Sequence, residues 1–205
     1  MRVQITETKV YTFAELSDAA KEKAIERYSR ATGEDWNPEF TIDEFCEVAR
    51  ILGFDIDTKQ EKPCVYYSGF WSQGDGACFE AHYSYAKQSR AKIREYAPKD
   101  TALHSIADDL AKVQKTAFYQ LSAKSKHRGN YCHSGCMSVE IEDSRDSYRD
   151  IGENAEYVVD NAFRDLANWL YRQLESEYEY QTSREAAIEG IEANDYEFTE
   201  SGKII

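Results

Sequence analysis

Proline, methionine and long apolar runs are what this 205-residue sequence has least of: three prolines, two methionines, and no apolar stretch long enough for a membrane-spanning helix. No leader is read at the N-terminus, where polar and apolar residues alternate. Familiar catalytic signatures are missing as well. There is no Gly-x-x-x-x-Gly-Lys-Ser/Thr phosphate loop, no Gly-x-Ser-x-Gly elbow, no His-Glu-x-x-His and no pair of Cys-x-x-Cys. Each absence weighs against an enzyme, and no cofactor is expected.

Positive charge is also scarce. The 25 Lys/Arg stand against 38 Asp/Glu, a net of −13, and such a chain repels nucleic acid and anionic membrane unless its charge is unevenly spread. It is unevenly spread. Residues 87–128 hold ten Lys/Arg and four Asp/Glu, a net of +6, while residues 151–205 hold thirteen Asp/Glu and four Lys/Arg, a net of −9. The simplest outcome is that the two regions face each other in the fold. The five cysteines (46, 64, 78, 132 and 136) are an odd number without a secretory context, so reduced thiols and a cytoplasmic setting are expected.

What the chain does have is charge and rings: 31% Asp, Glu, Lys and Arg, with 15 Tyr, 9 Phe and 3 Trp. Alternation predicts a strand over residues 2–11. Thr12 with Glu15 forms a capping box, and Ser17 is a second cap for a helix over 18–30 that Gly33 ends. Thr41 with Glu44 opens another helix that stops at Gly53. Strands are predicted over 54–56, 65–67 and 78–85, then a basic helix over 88–96 closed by Pro98. The spacing of Leu103, Ile106, Leu110, Val113 and Ala117 predicts a helix from Asp100 or Thr101 to about 123. Residues 124–130 read as a basic turn, 131–136 and 137–142 as strands, and 154–178 and 183–193 as helices. A last short strand falls over 196–198. The sum is one α+β domain over 1–205: a mainly antiparallel sheet of about five strands, helices on one face, and a long C-terminal helical hairpin, with 152–205 as an acidic helical part.

The stretch over residues 66–79 stands out. Between aromatic strands, positions 68–76 carry Ser68, Phe70, Trp71, Ser72, Gln73, Asp75 and three glycines. Two readings stay open. One is a hairpin turn with Phe70 and Trp71 in the core, and the other is a binding loop with exposed rings. Cys132 and Cys136 around His133 are the one metal-like cluster, although their spacing is loose and ordinary thiols are the simpler reading. His133 could instead meet Ser68, Ser72 and Asp75 in a proton-transfer arrangement if the two segments are neighbours. At the C-terminus Glu185, Glu189 and Glu192 recur at helical spacing, either as a solvated face or as carboxylates standing in for phosphates.

The run Tyr67-Ser68-Gly69-Phe70-Trp71-Ser72-Gln73-Gly74-Asp75-Gly76-Ala77, with Phe13-x-x-Leu16-Ser17-Asp18-x-Ala20-Lys21-x-Lys23-Ala24 before it and Glu192-Ala193-Asn194-x-Tyr196-x-Phe198 after it, resembles a group of small acidic phage and prophage proteins, some labelled antitoxin-like. The resemblance spans nearly the whole chain and implies a phage-borne accessory protein. It carries over no catalytic residue, and beside it Cys78, Cys132 and Cys136 look like replaceable small residues. The expectation is a non-enzymatic inhibitor, active in the cytoplasm of a bacterial host. Its partner would be a host defence protein or ribonucleoprotein complex of CRISPR effector or restriction type. Glu185, Glu189 and Glu192 would supply a nucleic-acid-like field, and Phe70, Trp71, Gln73 and Asp75 short-range contact. No direct nucleic-acid or membrane contact is expected, and a homodimer is compatible with this reading. The alternatives are an antitoxin that neutralises a toxin, and a nucleotide or small-molecule binder using residues 68–76.

Overall fold

The structure, a computed structural model, describes residues 1–2, 9–146 and 150–205. The strand predicted over 2–11 therefore falls mostly outside the described residues. Thr12 and Glu15 close on each other as expected, the Thr12 N–H and hydroxyl both donating to Glu15 Oε2, around a single 3₁₀ turn. Ser17 then caps α1 (Asp18–Glu34), accepting from the Ala20 N–H. Gly33 does not end this helix. It lies inside it because an added Cβ would come 2.7 Å from the Tyr178 hydroxyl, so its role is close packing. Helix α2 (Glu39–Leu52) starts directly after Pro38, two residues before the predicted Thr41 cap, and stops where Gly53 turns to φ +99°.

Five short strands follow: β1 (Phe54–Ile56), β2 (Thr58–Lys59), β3 (Lys62–Pro63), β4 (Val65–Tyr67) and β5 (Ala77–Phe79). β6 (Ala81–Ser84) leads to α3 (Ser89–Tyr96) and α4 (Thr101–Thr116), the latter capped by Asp100, which accepts from the Leu103 N–H. α4 ends seven residues short of its predicted end. Phe118 and Tyr119 both take positive φ there, and β7 (Leu121–His127) begins at once. Residues 124–127 are thus strand rather than turn, whereas 131–136 are a loop with one 3₁₀ turn rather than strand. β8 (Met137–Asp143), α5 (Glu153–Gln181) and α6 (Arg184–Ala193) complete the chain. Residues 196–198 give no strand, only bridges from Phe198 to Tyr11 and Ile204.

The fold is α+β. It divides into two compact units, Glu39–Glu175 on one side and Met1–Pro38 with Ser176–Ile205 on the other. Where one domain with a C-terminal helical part is predicted, the division falls inside α5.

In the larger unit four antiparallel strands run in the order β1-β6-β7-β8, with two-stranded ladders β2-β3 and β4-β5 beside them. One face of the sheet is covered by helices. Phe163 of α5 meets Phe54, Phe79 and Tyr83, Phe45 of α2 meets Phe79, and Gln114 of α4 donates to the Tyr83 hydroxyl. Phe45, Phe54, Phe79 and Phe163 are fully buried, each adding roughly 1.5–3 kcal/mol to stability. The segment read as one strand over 78–85 breaks at Glu80. Buried Ser125 spans that break, its hydroxyl donating to the Phe79 carbonyl and accepting from the Ala81 N–H.

In the smaller unit α6 packs on α1 through Ala20, Ala24, Ile25, Ala187 and Ile191, with Phe198 beneath. Gly190 allows this approach, since a Cβ there would lie 2.3 Å from the Tyr28 hydroxyl.

Candidate functional site

The predicted loop over residues 68–76 leaves β4 and returns in β5, whose register pairs Tyr67 with Ala77. Asp75 shapes it from within: one carboxylate oxygen accepts the N–H groups of Trp71 (3.0 Å) and Ser72 (2.6 Å), and the Asp75 N–H returns to the Ser72 carbonyl. Gly74 has φ +97°, a conformation that disfavours any side chain. Phe70 is half-buried, its ring 5.6 Å from that of Tyr171 on α5, and the Tyr171 hydroxyl donates to the Gly69 carbonyl. Trp71 stands edge-on to Phe70 and is 76% exposed. The rings therefore divide between the two readings, Phe70 anchoring the loop and Trp71 facing solvent beside exposed Gln73.

The loop over 131–136 lies against it, as a proton-transfer arrangement would need. A Cβ on Gly76 would fall 2.6 Å from His133 Cβ, and one on Gly74 would fall 3.0 Å from the Tyr131 ring. Arg164 of α5 ties this second loop down by donating to the Ser134 carbonyl, itself held by Asp160. Yet His133 is turned to its own loop. Its Nδ1 accepts from the Gly135 N–H and its Nε2 lies 3.4 Å from Cys136 Sγ. Among the described residues no hydrogen bond joins His133 to Asp75, Ser68 or Ser72, so proximity is achieved without a relay. The Ser68 hydroxyl is buried with no hydrogen-bond partner among the described residues.

The thiols meet more closely than their spacing suggests. Cys78 is fully buried on β5, and burial pushes its thiol up to about 12, with Cys132 as hydrogen-bond partner. Burial also raises Cys132. Neutral thiols of this kind are poor nucleophiles and poor ligands. Among the described residues no three His, Cys, Asp or Glu side chains are arranged to hold a metal ion.

In the smaller unit Glu185, Glu189 and Glu192 all lie exposed on α6, and none forms an ion pair among the described residues. That unit holds 15 Asp/Glu against 8 Lys/Arg, a net of −7. Neighbouring Arg184 is occupied by Glu22 in a bidentate pair. Tyr131, Arg164 and Tyr171, which build the loop site, were not singled out by sequence. Their only trace is Tyr171 lying off the Val159, Phe163, Leu166, Leu170 stripe of α5.

Fold and loop together define an α+β protein organised around a glycine-rich aromatic loop buttressed by α5. The chain belongs to the family described as Domain of unknown function (DUF8835), whose model matches residues 36–184. That match takes in the whole loop site and stops one residue before Glu185. No curated protein and no solved structure matches the chain.

Proposed function

We propose that this protein is a phage-borne, non-enzymatic binding protein that inhibits a host defence complex by presenting carboxylates in place of nucleic-acid phosphates. The observation that carries the reading is the row Glu185, Glu189 and Glu192, exposed on one helix and, among the described residues, in no ion pair. Over seven residues α6 rises roughly 10 Å, so the three charges form a short, rigid line. A groove built for phosphates attracts such a line because its own cations gain the same Coulomb energy from it. Exposed Trp71 supplies a large apolar contact of the kind that dominates interface energy. The supporting experiment is capture of purified CRISPR effector or restriction complexes on the immobilised protein, followed by competition with duplex DNA. Charge reversal at all three glutamates should abolish competition. Unchanged competition removes the mimicry.

A second reading rests on a separate observation, the Ser68 hydroxyl, buried beside the Asp75-shaped loop and with no hydrogen-bond partner among the described residues. A polar ligand, nucleotide or toxin side chain reaching into the loop would satisfy it. Ligand-induced thermal stabilisation lost on Ser68→Ala supports this reading, and growth rescue on co-expression with a toxin supports an antitoxin role for the same loop.

A further inference from the structure

The most acidic unit contains one cleft of the opposite character. It has a volume of about 620 Å³, within the range of small-molecule sites. Its walls are aromatic, formed by Tyr28 on α1, Trp36 after it, and Tyr196 beyond α6. Tyr28 and Tyr196 lie 6.1 Å apart and tilted, while Trp36 is held edge-on by Tyr178 at 5.3 Å. Arg27 and Lys203 also line it, and neither forms an ion pair among the described residues. Elsewhere in the unit Arg30 and Arg184 are tied to Glu26 and Glu22, and Lys21 lies over the Phe13 ring. In a unit with almost twice as many acids as bases, two uncommitted cations beside three rings are not explained by the mimicry described above.

From this cleft we infer a binding site for a planar aromatic anion, of which a nucleoside 5′-monophosphate is the fitting class. The rings offer stacking surfaces that accept any base. Arg27 offers a planar fork and Lys203 a point charge for the anionic group. Asp35 also lines the cleft, so its formal charge is +1. That value matches a ligand with one or two negative charges and disfavours a triphosphate. The site shares no residue with the 68–76 loop or with Glu185, Glu189 and Glu192, so its failure leaves the proposed function standing, and the reverse.

The test is calorimetric titration of the full chain with the four common ribonucleoside 5′-monophosphates, with adenosine and inorganic phosphate as controls. At least one monophosphate should bind saturably, more tightly than either control. Changing Arg27→Gln and Lys203→Gln together should weaken it about tenfold or more, while Glu189→Gln leaves it unchanged. Both cations are exposed, so the double variant should keep its circular dichroism spectrum. Ring-proton shifts of Tyr28, Trp36 and Tyr196 on titrating the unmodified protein provide a readout independent of any variant. Absence of saturable binding, equal binding of inorganic phosphate, an unaffected double variant, or ring shifts confined to other aromatics would each overturn the site.

Discussion

Gly76 is the residue on which the loop site turns. Its missing Cβ leaves room for the His133 backbone and side chain, which an alanine would meet at 2.6–2.7 Å. Neither neighbour is the free end of a flexible side chain, so Gly76→Ala should destabilise by about 1–3 kcal/mol, read as a lower urea midpoint at constant slope. Ser125 is a second such residue. Its hydroxyl joins two backbone groups at the Glu80 break, and Ser125→Ala strands both in the core at a cost of about 1–3 kcal/mol. Lys126 reaches across to Asp57 (2.7 Å) and Glu80 (2.6 Å), and the hydrogen bond from its ammonium holds the Asp57 carboxyl below its ordinary 3.8. A depressed carboxyl stabilises fully above its unfolded value and loses that contribution as pH falls through the folded one. Stability should therefore fall below about pH 4, and Lys126→Met should remove the Asp57 share of that fall. With Lys126 43% exposed the share is modest, about 1 kcal/mol or less. Urea midpoints of both proteins between pH 2.5 and 6 measure it.

At the scale of elements, the β2–β3 hairpin carries its own prediction. Its two turn residues, Gln60 and Glu61, sit at φ +53° and +65°, where glycine or asparagine would be expected. Glu61→Gly should stabilise by about 1 kcal/mol, seen as a higher thermal midpoint. The same residues explain why this hairpin was not legible in the sequence: nothing in Gln-Glu signals a turn. The long helices were legible, because stripes such as Leu103, Ile106, Leu110 and Val113 must be buried together and Asp100 and Ser183 mark their starts. The end of α4 was not, since Ala117 continues the stripe and only the positive φ of Phe118 and Tyr119 breaks it. β7 was missed for a related reason. Its Lys124 and Lys126 read as a solvated turn, yet they are the open-face residues of a strand whose other face, Leu121, Ala123 and Ser125, is buried. Of the candidate site, the Gly74 and Asp75 turn was readable from residue type, whereas the buttress from Tyr131, Arg164 and Tyr171 depends on long-range packing that no local pattern encodes.

Across the whole molecule, charge is the property that most constrains function. The net of −13 is shared between the larger unit, at −6 from 23 acids and 17 bases, and the smaller, at −7 from 15 and 8 in half as many residues. The basic stretch over 87–128 lies wholly in the larger unit, where Arg90 and Arg94 are tied to Asp108 and Lys126 to Asp57 and Glu80. Those cations are occupied locally, while Glu185, Glu189 and Glu192 remain without ion pairs among the described residues. Any partner drawn by this surface should bind with an affinity that falls steeply as salt rises. The most direct measurement is displacement of labelled duplex DNA from a purified defence complex by the intact protein and by the Glu185→Lys, Glu189→Lys, Glu192→Lys variant. The account predicts displacement by the first and none by the second. Equal displacement by both, or none by either across the CRISPR effector and restriction complexes, would contradict it.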